Sequence, residues 1–315
     1  GARGGDPAEA RQAGRRQQTL RTLVDQFLLE HVDAKLKRST AAEYRRTAQL
    51  HIPPALARRP IADVGRPEIA RLHLSMSATP YQANRTLALL SKFFNWCERH
   101  GYRPDGSNPC RHIEKYAEKR REQFLSARDL ADLGAALAAA ERQGSVATVA
   151  VAAVRLLILT GARLSEVLTL RWEWVDLEAA VLRLPDSKTG QKSIYLNAPA
   201  LEILVGLPRL GKNPFVICGE RSEAHLVNLQ KPWQRIRKAA GLDHIRIHDL
   251  RHSFASVAAA SGQSLYVIGT LLGHTQPQTT SRYAHLSADP LRAANEAIGQ
   301  RIAQAMTPTG NRAAG

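Results

Sequence analysis

The stretch HDLRHSFA, residues 248–255, sets two histidines and an arginine within five positions, just ahead of an apolar helical run. His248 and Arg251 are three apart, so on a helix they share one face. Leu250, Phe254 and Val257 mark a second stripe, expected to face a core. The histidine–arginine face is then left for something else, and an anion suits it. Taken alone, the motif fits a capping or structural role as well as a catalytic one.

Three other stretches bear on the same question. TGARLSEVL (160–168) ends one helix at Gly161 and starts the next with Arg163 and Glu166 at i, i+3. A carboxylate there orients the guanidinium, and helix-start amides favour anions; a plain surface ion pair is the ordinary alternative. SKTGQK (187–192) places Lys188 at a hairpin tip, where a flexible cation can reach a ligand or simply stay solvated. LLGHTQPQTTSRYAHL (271–286) adds His274 and, nine residues on, Tyr283, whose ordinary role would be packing.

The chain's balance of charge agrees with an anionic partner. It has 315 residues, enough for two domains, with 44% hydrophobic and 23% charged residues, which excludes global disorder. Its 44 Lys+Arg against 28 Asp+Glu leave a net charge of +16, and a polyanion, nucleic acid or an acidic membrane surface, is the expected partner. Arginine outnumbers lysine 34 to 10, which favours bidentate phosphate contacts. Three cysteines make no disulfide framework, so a reducing cytosol is the expected location. Cys97, His100, Cys110 and His112 match no zinc template, and Cys97 falls on an apolar helix face. The most apolar stretch, 146–161, is interrupted by Arg155 and reads as a buried core helix rather than a membrane span.

The organisation is mainly α with one small sheet. Residues 1–16 lack apolar periodicity and read as a linker, the trailing end of a preceding domain or an expression remnant. From 17 to 103 the pattern is four helices: one carries Leu20, Leu23, Val24, Phe27 and Leu28 on a single stripe, and the last carries Leu87, Leu90, Phe94 and Cys97. Ser39 and Thr40 offer N-caps to the second, with Glu43 completing a capping box on Thr40. Residues 104–123 read as an interdomain linker in which Lys115, Lys119, Arg120 and Arg121 form either a solvated face or a basic strap on a phosphate backbone. A second domain, 124–306, is helical apart from a hairpin around the Lys-Thr-Gly turn, and 307–315 reads as a tail. Beyond Tyr283 an amphipathic pattern runs through Leu291, Ala294, Ile298, Ile302 and Met306, fit to dock on its own domain or on a neighbour.

Taken together, in order and spacing, TGARLSEVLTLRW, SKTG, HDLRHSFAS, LLGH and the tyrosine nine residues on resemble the tyrosine recombinase (phage integrase) family. ANRTLALLSKFFNWCERHG (83–101) and the linker NPCRHIEKYAEKRREQFLS are similar to the corresponding segments of integrases from phages and genomic islands. The resemblance covers about Gln17 to Met306. It implies an N-terminal four-helix core-binding (SAM-like) domain joined to a catalytic domain of the tyrosine recombinase fold.

It also implies a chemistry. Arg163 and Arg251 clamp the nonbridging oxygens of a DNA phosphodiester, and Tyr283 attacks to give a 3′-phosphotyrosine and a free 5′-hydroxyl. The phenol needs a proton acceptor, for which His248 is the candidate. Lys188 protonates the leaving oxygen, with Lys192 as the fallback if the turn has another register. His274 orients the phosphate or the tyrosine, and Glu166 supports Arg163. Asn84 and Arg85, with the linker's basic residues, are further candidates for contacting DNA. No cofactor is implied, since arginines replace metal ions and the phosphotyrosine conserves the bond energy; the sequence contains no GxxxxGK[ST] and no HExxH. The expected partners are double-stranded attachment sites, with a monomer in solution assembling into a homotetramer on DNA, accessory DNA-bending or directionality proteins, and no membrane. The expected location is the bacterial cytoplasm, at the nucleoid. The rivals are a type IB topoisomerase that reseals the same strand and a DNA-binding regulator without catalysis.

Overall fold

The computed structural model describes residues 14, 17–118, 123–221, 223–286, 295–296 and 298–302. The chain divides near residue 121 into two compact units. In the first, α1 (Leu20–Phe27) starts where the Thr19 hydroxyl accepts the Thr22 N–H. A wider π-type turn through Leu28–Asp33 leads to α2 (Arg38–His51), α3 (Pro54–Ala57), α4 (Arg66–Ser75) and α5 (Pro80–Arg99). The two stripes read from the sequence are both buried, and Phe27 meets Phe93 and Trp96 edge-on at 5.7 and 5.8 Å. Cys97 and Cys110 lie in this core, where burial pushes each thiol up to about 12. The capping box at Thr40 does not form. Helix α2 begins three residues earlier than that cap would place it, its N-cap being Lys37, whose carbonyl accepts the Ala41 N–H.

The second unit is built around α7 (Thr148–Thr160), a helix buried on most sides. Before it comes α6 (Ala127–Gln143), whose Ser126 and Asp129 close a capping box and whose end is turned by Gly144 at φ 61°. After it come the short α8 (Leu164–Leu168) and a three-stranded antiparallel sheet of β1 (Val175–Asp176), β2 (Val181–Ser187) and β3 (Gly190–Tyr195), in that order. Then follow α9 (Ala198–Gly206), α10 (Gln230–Ala239), α11 (Asp249–Ala260), α12 (Leu265–Leu272) and α13 (Pro277–Ser281). Among the described residues no helix is long and apolar enough to cross a membrane.

Two details of this unit set the site. Lys188 and Thr189 form the tip between β2 and β3, and Leu184 pairs with Lys192. Strand alternation then sends Lys192 and Ile194 to the inner face. Helix α11 buries Leu250, Ala255 and Ala259, the last two against Ile268 and Leu272 of α12. Val257 is 47% exposed, so the expected 250–254–257 stripe is replaced by one turned toward α12. Ile298 and Ile302, the described part of the C-terminal amphipathic pattern, are exposed.

Candidate active site

The anchor of the site is Glu166, a carboxylate buried in the first turn of α8. It accepts the Arg163 backbone N–H at 2.8 Å and the Arg163 guanidinium at 2.7 Å. Its other partner is Lys192 Nζ, at 2.9 Å. Burial alone would raise the Glu166 pKa, but Lys192 and the hydrogen bonds from Arg163 outweigh it and hold the carboxyl below its usual range. Burial pulls Lys192 down to about 8 against the pull of Glu166, with Arg251 and Arg163 adding to the depression.

Arg251 is buried in the first turn of α11, where it donates to Gly161 O and Leu272 O, each at 2.6 Å. These are carbonyls at the C-terminal ends of α7 and α12, which carry the negative end of each helix dipole. Burial, with Arg163 nearby, brings the guanidinium down to about 10, so it stays charged at neutral pH. Gly161 sits at φ 63°, and a Cβ there would lie 2.6 Å from Phe254 Cδ1. Only glycine allows the turn and the close approach together.

The histidines and the tyrosine complete the cluster. His274 follows the end of α12, and its Nδ1 lies 2.8 Å from the Thr280 hydroxyl on α13. Burial and the charges of Arg251 and Arg163 lower it to about 4, so the ring is neutral at pH 7. Tyr283 is 5% exposed, its ring packed with Ala255, Ala259, Ile268 and Leu272. Its hydroxyl lies 2.5 Å from His252 Nδ1. His252 in turn meets His248 edge-on, ring centres 5.0 Å apart. His248 stands at the head of α11, its pKa lowered by partial desolvation and then by Arg251, Arg163 and Lys188.

The structure thus brings Arg163, Glu166, His248, Arg251, His274 and Tyr283 together. Of the two hairpin lysines, Lys192 is the one buried against Glu166, while Lys188 is exposed at the tip with its charge felt at His248. Sequence reasoning passed over His252 and Thr280. His252 stood in the quoted motif, but its pairing with a residue 31 positions away carries no local signal.

Among the candidate DNA contacts, Arg85 and Lys115 are exposed. Lys119, Arg120 and Arg121 lie outside the described residues. Asn84 is corrected: it is 5% exposed and its amide is fully engaged. Its Oδ1 accepts the Tyr116 N–H at 3.0 Å and lies 3.1 Å from His73 Nε2, and its Nδ2 donates to Tyr116 O and Glu118 Oε1, both at 2.9 Å. With the His73 and Tyr116 rings stacked at 4.4 Å, Asn84 fastens the following segment to α4 and α5 and has no group left for DNA.

Arg163 and Lys192 thus pair with one carboxylate and Arg251 feels its charge, leaving an excess of positive charge beside a tyrosine hydroxyl and the neutral His252 and His274. Such a set is chemically suited to a monoanion, since planar guanidiniums match the geometry of phosphate oxygens.

Comparison with known proteins agrees. Residues 124–289 match the family model described as the phage integrase family. Tyrosine recombinase XerD of Neisseria meningitidis serogroup A is 26% identical over 280 residues, covering 84% of this chain and 94% of that protein. Tyrosine recombinase XerA of Saccharolobus solfataricus is 31% identical over 144 residues, covering 44% of this chain. That match spans about half of the relative's length, 46%. Among solved structures, a lambda integrase tetramer bound to a Holliday junction shares the fold, with a TM-score of 0.67 at 20% identity over 88% of this chain and 83% of that one.

Proposed function

We propose that this chain, which belongs to the phage integrase family, cuts and rejoins DNA at specific sites through a covalent 3′-phosphotyrosine intermediate, integrating or excising a mobile element. The observation that carries the reading is the placement of half-buried Arg163 and buried Arg251 around the end of α12, with Tyr283 packed against the same helix. A phosphodiester repels nucleophiles and gains charge on its nonbridging oxygens when attacked. Two fixed guanidiniums stabilise that charge without reorganising, a contribution usually among the largest in catalysis. Tyr283 is the nucleophile. His248 and His274 flank the phosphate, and the Thr280 hydroxyl on His274 Nδ1 leaves Nε2 to donate to it. Lys188, on the exposed hairpin tip, protonates the departing 5′-oxygen.

The remaining assignments follow from this. The unit ending near residue 121 is the core-binding domain and the unit after it the catalytic domain. Arg85 and Lys115, with the basic run at 119–121, meet the phosphate backbone, so affinity falls steeply with salt. Strand exchange between two duplexes needs four tyrosines. A homotetramer on DNA is therefore the working assembly, formed from monomers, with directionality or DNA-bending proteins as accessories in the bacterial cytoplasm. A two-duplex assay tests the function. Labelled and unlabelled attachment sites, incubated with the protein, exchange strands and give recombinant products. Relaxation of supercoils with no product joining two duplexes would support a strand-resealing topoisomerase instead.

A further inference from the structure

We propose that His252 is the catalytic group that takes the proton from Tyr283 when the tyrosine attacks, a role the sequence motif would give to His248. The inference rests on the reading of Tyr283 as the nucleophile. Its basis is contact: the Tyr283 hydroxyl lies 2.5 Å from His252 Nδ1, within range of a short O–H···N hydrogen bond. A proton acceptor must be within hydrogen-bond reach of the proton it removes, before basicity is considered.

The surroundings hold that contact in place. The Tyr283 ring is packed between α11 and α12, and its backbone N–H donates to Thr280 O at 3.0 Å, so the direction of the hydroxyl is fixed. His252 follows Arg251 directly on α11. One helix therefore carries the phosphate clamp and the group on the tyrosine oxygen in adjacent positions. Burial, then His248 and Arg282, lower His252 to about 4, with Asp249 opposing. At neutral pH the ring is uncharged, and with its proton on Nε2 it accepts at Nδ1. A phosphodiester seated on Arg163 and Arg251 would bring a negative charge beside the ring and offset Arg251, which raises the basicity of His252.

The step balances. The bond from Tyr283 Oη to phosphorus forms, and the bond from phosphorus to the 5′-oxygen breaks. The Oη proton passes to His252 Nδ1, and the 5′-oxygen receives a proton from Lys188. In rejoining, a 5′-hydroxyl attacks the phosphotyrosine and gives its proton back to Lys188, while His252 returns its proton to the departing phenolate.

The test is single-turnover formation of the covalent protein–DNA adduct on a nicked attachment site, with DNA affinity measured alongside. His252→Asn keeps an acceptor near the Nδ1 position but is not basic, and His252→Ala removes it. Both are expected to slow adduct formation by about 10²-fold or more with little change in affinity. A fluorotyrosine at position 283, a more acidic phenol, should recover much of the rate in His252→Asn and less in His248→Asn. A wild-type rate in His252→Asn would show that the contact only positions the ring, and a slow variant that fluorination does not help would also overturn the proposal. If the unaltered protein gives no adduct that depends on Tyr283, the nucleophile assignment itself fails, a result distinct from either.

Discussion

Arg163 and Arg251 donate to consecutive carbonyls at one helix end: Arg163 Nη2 to Gly273 O at 3.1 Å, and Arg251 Nη2 to Leu272 O at 2.6 Å. The end of α12 thereby sets the spacing of the two guanidiniums, and Gly273 at φ 66° makes the turn that leads to His274. Arg251 also holds Gly161 O, so the ends of α7 and α12 meet through one side chain.

Gly161→Ala should therefore be costly. The left-handed backbone alone costs about 1–2 kcal/mol for a residue with a Cβ, and the contact with Phe254 adds to it. Urea denaturation is expected to show a loss of at least that size. Unchanged stability would mean that the turn relaxes freely.

Removing the charge of Glu166 should unsettle the buried cations more than it weakens one ion pair. Glu166→Gln leaves Lys192 buried without its carboxylate, and breaking such a pair typically costs about 3–5 kcal/mol. The double variant Glu166→Gln with Lys192→Met should recover part of the loss. Simple additivity of the two changes in denaturation midpoint would contradict the coupling.

How far the sequence discloses this site depends on the kind of contact. His248 with Arg251 and Arg163 with Glu166 are helix neighbours at i, i+3, so spacing alone brings them together. The apolar stripes on α1 and α5 are legible for the same reason. Which hairpin lysine turns inward depends on register, and a shift of one residue would send Lys192 outward. The roles of Asn84, His252 and Thr280 depend on partners brought near only by the tertiary fold: Tyr116, Tyr283 and His274. Val257 misled because Ala255 and Ala259, small residues with a weak apolar signal, form the face that packs on α12.

Thr280 should matter through its hydroxyl rather than its bulk. Thr280→Val keeps the shape but gives His274 Nδ1 no partner, and adduct formation is expected to fall about 10-fold or more. Thr280→Ser, which restores the hydroxyl, should recover most of the rate. Equal rates in the two variants would remove Thr280 from the positioning of His274.

The buried neutral histidines make stability depend on acid. His252 and His274 titrate near 4 in the folded chain but near the ordinary 6.5 when unfolded. As pH falls from about 6.5 toward 4, the unfolded state binds more protons and stability declines. Replacing both by Gln should flatten that decline between pH 7 and 5 in urea midpoints. Parallel slopes in variant and parent would show that other groups cause it.

One covalent bond decides whether Tyr283 is the nucleophile. A nicked duplex carrying the attachment site should trap a denaturant-resistant adduct, and peptide mapping should place the DNA 3′-phosphate on Tyr283, with no adduct in Tyr283→Phe. An adduct that survives Tyr283→Phe, or one mapped to another residue, would contradict the assignment of Tyr283 as the nucleophile.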